Sequence, residues 1–104
     1  MEPIYTRFGF ELLVTFTMIN ERAMIAITNV AFDKDVAEET AAATQCYDAL
    51  LDACIANGYY PYRATLRGMS DIASPDDPFW QIAAEIKRAL DPGQIIAPGR
   101  YIPR

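Results

Sequence analysis

The sequence predicts an α+β fold: an antiparallel hairpin packed on a long helix, part of a ferredoxin-like layer, followed by a second short helix and an ordered irregular tail. Three observations predict it. Two neighbouring runs alternate in polarity and are rich in β-branched and aromatic residues, with the polar break Asn20-Glu21-Arg22 between them. An apolar face then recurs at helical spacing from Val36 to Cys54, and a second, shorter one from Phe79 to Leu90.

Residues 1–9 hold Pro3 and Gly9 without a clear period and read as an irregular lead-in. From Phe10 onward, Leu12, Val14, Phe16 and Met18 alternate with Glu11, Leu13, Thr15 and Thr17, which is the period of a strand. A second strand is expected from about Ala23 to Phe32, closing a hairpin across the polar turn. Asp33 or Asp35 is placed to cap the next helix, with Glu38 and Glu39 favourable in its first turns. Val36, Thr40, Ala43, Tyr47, Leu50 and Cys54 form its apolar face, and Asn57-Gly58 ends it, Gly58 being free to take positive φ. Such a helix has a natural use in covering the hairpin.

Tyr59 to Leu66 reads as a third extended segment, which Pro61 confines to an edge or an irregular stretch. Residues 70–78 form a polar loop. The second helix runs from about Pro78 to Leu90, with Phe79, Ile82, Ile86 and Leu90 on one face and Pro78 suited to its first turn. Asp91-Pro92-Gly93 stops it. The last residues, with two prolines and one glycine, cannot be regular, yet Ile95, Ile96 and Ala97 predict a tail that packs.

Length and composition bound the function. A chain of 104 residues suits one small domain or a fragment, and 52% apolar with 22% charged residues is ordinary for a globular one. A net charge of −5 without a Lys/Arg cluster argues against nucleic-acid binding. With no His and only two cysteines, a metal site is not expected. Cys46 and Cys54, eight apart on a helix, would lie roughly 12 Å from each other, beyond the ~7 Å limit for a disulfide. They are expected as free thiols. No apolar run reaches a membrane span, and Met1-Glu2-Pro3 does not open a signal peptide, so no membrane is implied; the compartment stays open, the cytoplasm slightly favoured over the periplasm.

Two places stand out as candidates for chemistry. Tyr59-Tyr60-Pro61-Tyr62-Arg63 sets three phenols and a guanidinium within five residues. A Tyr hydroxyl beside an Arg fork makes a receptor for a phenolate or carboxylate, combining a permanent charge with directed donors. Adjacent strand residues point to opposite faces, so Tyr62 and Arg63 reach one ligand only on irregular backbone or with the Arg curled round. An aromatic edge strand with a solvated Arg is the commoner outcome for these residue types. The second place is Pro98-Gly99-Arg100, a turn that can hold Arg100 in a fixed position, although a helix stop with a packed tail explains the same spacing.

The segment GYYPYR, followed by EIKRALDPGQIIAPGR, resembles the C-terminal region of the FAD-linked oxidases of the vanillyl-alcohol oxidase and p-cresol methylhydroxylase family, which oxidise 4-alkylphenols. The likeness covers roughly residues 10–103. DP-x4-APGR marks FAD-linked oxidases broadly, and the Tyr-Arg pair points to phenol-oxidising members. The resemblance implies that residues 10–66 end a cap, or substrate, domain and that residues 70–104 form a C-terminal helix and flavin-contacting tail. It implies Tyr62 and Arg63 at the substrate's phenolate oxygen, as the catalytic pair, and Arg100 against the pyrimidine edge of the flavin. FAD is then the cofactor, and a 4-substituted phenol the substrate. A homodimer partner, or a cytochrome that takes the electrons, also belongs to that picture.

The departures are equally informative. No Gly-rich stretch is present to take a pyrophosphate, and the FAD-binding domain is missing, so 104 residues are not expected to catalyse alone. Gly93 stands where relatives often carry Asn, a turn-compatible change. The competing reading is a free-standing α+β module that binds a small aromatic molecule or dimerises.

Overall fold

The computed structural model describes residues 1–101; the last three positions of the expected tail, 102–104, lie outside the described residues. The chain forms two compact units, Met1–Tyr59 and a second beginning at Tyr60. The first contains α1 (Glu2–Arg7), β1 (Leu13–Asn20), β2 (Ala23–Asn29) and α2 (Ala37–Ala56). The second contains α3 (Met69–Ile72) and α4 (Pro78–Leu90). The class is α+β, as the sequence predicts, with hairpin and long helix packed together.

The lead-in departs from expectation, because residues 2–7 are helical. Pro3 falls in the first turn, where its missing N–H costs nothing. Glu2 and Arg7 sit at the ends that suit their charges. Six residues cannot sustain a helix alone; burial does so here. Tyr5, 1% exposed, forms the core of this unit with Cys46 and Leu50 of α2. Gly9 at φ +78° then turns the chain out of the helix, and the Phe10 N–H donates to the Tyr5 carbonyl at 2.9 Å.

β1 and β2 pair antiparallel, from Leu13 opposite Asn29 to Met18 opposite Met24. Asn20 then pairs with Ala23, which leaves Ile19 as the extra residue of a bulge. The Asn20 side chain accepts from the Arg22 N–H at 2.8 Å and shapes the turn. Helix and hairpin meet at the hairpin's foot. Leu12 and Val30, just outside the strands, pack on the Tyr5–Cys46–Leu50 cluster together with Ile4, Phe8 and Phe10. Beyond that foot the strands stay open, with Phe16 61% and Met18 72% exposed.

α2 begins with Val36 as its cap residue, and neither Asp33 nor Asp35 caps it. Asp33 is already engaged, its carboxylate accepting from the Asp35 N–H at 2.9 Å. Glu39 reaches back instead and accepts from the Asp33 N–H at 2.8 Å. The most deeply buried positions of α2 are Ala43, Cys46, Leu50 and Leu51. The expected face therefore holds at Ala43 and Leu50, while Tyr47 and Cys54 are half-buried and Val36 and Thr40 exposed. Both cysteines are free, and burial pushes the Cys46 thiol pKa up, which keeps it a neutral core residue. Asn57 and Gly58, the latter at φ +80°, end the helix where expected.

In the second unit the segment from Tyr59 to Leu66 is irregular, not a third strand. Pro61 offers no donor, and among the described residues the only sheet is the β1–β2 pair. The loop expected over 70–78 contains one helical turn, α3. Helix α4 matches its expected bounds. Asp77 caps it by accepting from the Phe79 N–H at 2.8 Å, and Pro78 stands in the first turn. Its predicted apolar row is present but uncovered within this unit: Phe79, Ile82, Ile86 and Leu90 are 56–79% exposed.

Leu50→Ala should destabilise the first unit by about 2–4 kcal/mol through lost burial and the cavity left behind. Phe16→Ala in the same chain should change it by less than about 0.5 kcal/mol. Urea denaturation followed by circular dichroism checks both, and equal effects would contradict this placement of the core.

Candidate functional site

The best-defined polar arrangement in the molecule lies where α4 stops. Asp91 is the C-cap residue, and its N–H donates to the Lys87 carbonyl at 2.8 Å. Its side chain is 6% exposed and gathers three donors. Oδ1 accepts from the Ile95 N–H at 3.1 Å, and Oδ2 from the Ile96 N–H at 3.0 Å and from the Lys87 ammonium. Lys87, one turn earlier on α4, also donates to the Ile96 carbonyl at 2.7 Å. The Asp91 carbonyl accepts from the Gln94 N–H at 3.0 Å. One carboxylate thus folds residues 92–96 back onto the end of the helix. A buried charge is tolerable here because it is paired and fully hydrogen-bonded.

The Lys87 hydrogen bond is the main influence holding the Asp91 carboxyl below the usual carboxylate range, followed by the Ile96 N–H. Burial pushes the other way and is outweighed, with the Ile95 N–H and the Lys87 charge adding to the lowering. Beyond this knot the chain turns tightly. Gln94, Ala97 and Tyr101 take φ of 50°, 44° and 55°, and Gly99 takes 75°. The Arg100 N–H donates to the Ala97 carbonyl at 3.1 Å, closing the Ala97-Pro98-Gly99-Arg100 turn. The Tyr101 N–H then donates to the Met69 sulfur at 3.2 Å, tying the tail to α3. Arg100 is therefore presented from a turn anchored on both sides, with its side chain exposed.

Tyr62 and Arg63 lie on the irregular chain ahead of α3, and both are exposed. The strand geometry that would send neighbouring side chains to opposite faces is absent there. All three candidate residues fall in the second unit, and among the described residues no hydrogen bond joins them. Asp91 and Lys87 are the residues that sequence reasoning missed. The sequence showed Asp91 only as part of a helix stop, although a Lys four residues before an Asp at a helix end is a readable pairing signal.

Other candidate chemistry is sparse. Among the described residues, no group of three or more His, Cys, Asp or Glu side chains gathers to hold a metal ion. No described helix is long and apolar enough to cross a membrane. Trp80 and Phe79 make an edge-to-face pair with centroids 5.0 Å apart, a packing arrangement on α4.

Comparison with known proteins supplies relatives. The chain is 32% identical over 93 residues to 1'-carboxy-chondrochloren decarboxylase of Chondromyces crocatus, a match covering 89% of this chain and 17% of that protein. It is 34% identical over 95 residues to the 4-cresol dehydrogenase [hydroxylating] flavoprotein subunit of Pseudomonas putida, covering 90% of this chain and 18% of that protein. The chain thus spans less than a fifth of the length of the curated relatives it matches. No family model matches the sequence. No solved structure matches it either. The two relatives support the FAD-linked oxidase family for this segment, and no particular subfamily of it.

The Asp91 knot has a pH signature. A carboxylate whose pKa is lowered by folding stabilises the fold above its unfolded value of about 3.9. That contribution is lost as pH falls through the lowered folded value. The Ile95 and Ile96 amides should stay protected from hydrogen exchange down to about pH 4 and lose protection only below it. Asp91→Asn should reduce that protection roughly tenfold at neutral pH and remove the acid transition. Exchange read by NMR across pH checks both expectations.

Proposed function

We propose that this chain is one segment of an FAD-dependent oxidoreductase that oxidises 4-substituted phenols by hydride transfer to flavin, and that it contributes to the active site without being active alone. The observation that carries this reading is the similarity spanning about nine-tenths of the chain, one relative being the flavoprotein subunit of 4-cresol dehydrogenase. Bound flavin supplies the hydride acceptor, and the residues of this chain supply position and charge.

Tyr62 and Arg63 bind the phenolic oxygen of the substrate. Loss of hydride from the benzylic carbon of the para substituent, which leaves a quinone methide, is easier from the phenolate than from the phenol, so donors fixed around that oxygen lower the barrier. The guanidinium contributes a permanent charge and two directed donors, and the phenol one short O–H···O⁻ bond. Irregular backbone around Pro61 favours this role, because it frees the pair from strand alternation. Donors held in place need little reorganisation as charge develops.

Arg100 faces the pyrimidine edge of the flavin and balances negative charge there. The residues present fit the ring end of the cofactor. An exposed guanidinium stands on a turn fixed by the Asp91 knot and by the Met69 contact. Residues 1–104 hold no Gly-rich loop for the pyrophosphate, so that part of FAD is bound by another segment of the enzyme.

The test is to produce the chain together with its upstream coding sequence. The expected product is a yellow protein whose flavin is bleached anaerobically by a 4-alkylphenol. Because the other relative is named a decarboxylase, carbon dioxide release is assayed alongside. Tyr62→Phe and Arg63→Ala should each lower kcat/KM by about 10²–10³ while flavin content stays unchanged. Arg100→Ala should weaken flavin binding. A longer protein that holds no flavin would overturn the proposal.

A further inference from the structure

One sulfur joins the stretch that carries Tyr62 and Arg63 to the stretch that carries Arg100. Ala64 follows Arg63 directly and is buried, so the chain enters the interior of the second unit one residue after the pair. The Gly68 N–H donates to the Thr65 carbonyl at 3.1 Å and turns the chain into α3, whose first residue, Met69, is also buried. Met69 Sδ accepts from the Tyr101 N–H at 3.2 Å, and Tyr101 follows Arg100 directly. A thioether is a weak acceptor, yet this one closes a strained segment. Ala97 and Tyr101, on either side of Arg100, both hold left-handed φ without being glycine, at 44° and 55°. Such residues persist only where surrounding contacts over-determine them, and they concentrate at functional sites.

We infer that Met69 is a positioning residue for the proposed reaction: its sulfur sets the separation between the phenol-binding pair Tyr62–Arg63 and Arg100 at the flavin. Through that separation it sets the distance from the substrate's benzylic carbon to the ring that takes the hydride. The inference rests on the oxidoreductase reading. The Asp91 knot does a different job, because it ties residues 95 and 96 to the end of α4. The Met69 contact ties the far side of Arg100 to α3, the element that follows Tyr62 and Arg63. Without the sulfur the Arg100 turn keeps its first anchor, so flavin is still bound. It loses its register with the phenol-binding pair. Hydride transfer is sensitive to such a change, since a displacement of about 1 Å at reacting atoms can cost on the order of 10²-fold in rate.

Met69→Leu keeps roughly the apolar volume and removes the acceptor. Anaerobic stopped-flow mixing of the flavin-loaded longer protein with a 4-alkylphenol reads its effect. The limiting rate of flavin reduction should fall about tenfold, while the phenol Kd and the flavin content stay at wild-type values. A residue that only packs would not split rate from binding in this way. An unchanged rate overturns the inference, and so does a slower rate accompanied by an equal loss of phenol affinity. If Met69→Leu loses its flavin, Met69→Gln, which restores an acceptor at similar reach, decides. Recovery of flavin and rate supports the sulfur's role, and loss in both variants reduces Met69 to a core residue. The two proposals fail separately: a wild-type longer protein without flavin sinks the oxidoreductase reading, whereas a wild type reduced by the phenol beside an equally fast Met69→Leu sinks Met69 alone.

Discussion

The carboxylate of Asp91 is the constraint on which the tail depends. A chain with two prolines and two glycines across residues 92–100 has no regular structure to hold it. Order comes instead from one buried charge that satisfies two backbone amides and a lysine at once. Such a group cannot be left half-paired without a large desolvation cost, so the arrangement is effectively all-or-none. Its consequence for chemistry is positional. The turn that follows, and the Tyr101 amide on the Met69 sulfur, give Arg100 a fixed base.

Burial is concentrated where each unit closes on itself, and elsewhere the molecule exposes much apolar surface. In the first unit Tyr5, Cys46 and Leu50 form the core while the hairpin extends away from it. In the second, Ala64, Met69 and Ala73 are buried while the apolar row of α4 is not covered within the unit. Exposed apolar surface of this extent marks interaction sites. It fits a segment whose matched relatives are several times longer.

Much of the fold was legible. The period-two runs gave the hairpin and its turn, Asn57-Gly58 gave the end of α2, and Pro78 gave the start of α4, because each signal is local and steric. α1 was not legible, since its stability comes from Tyr5 entering a core made by distant residues. The cap of α2 was misread because Asp33 spends its carboxylate on the Asp35 amide two residues away. Residues 59–66 carry strand-forming side chains, yet a strand needs a partner edge, and Pro61 removes a donor from any ladder there. At the candidate site, Tyr62, Arg63 and Arg100 were legible as residue types. Of the Asp91 knot only the Lys87–Asp91 spacing was readable, because Ile95 and Ile96 contribute only backbone amides, which no side-chain pattern records.

The measurement that bears most directly on the central claim is a crystal structure of the longer polypeptide with flavin and a 4-alkylphenol bound. The Tyr62 hydroxyl and the Arg63 guanidinium should lie within about 2.6–3.2 Å of the phenolic oxygen, with Arg100 against the pyrimidine edge of the flavin. Three side chains found on unrelated, solvated surfaces, with the phenol held by other groups, would contradict it.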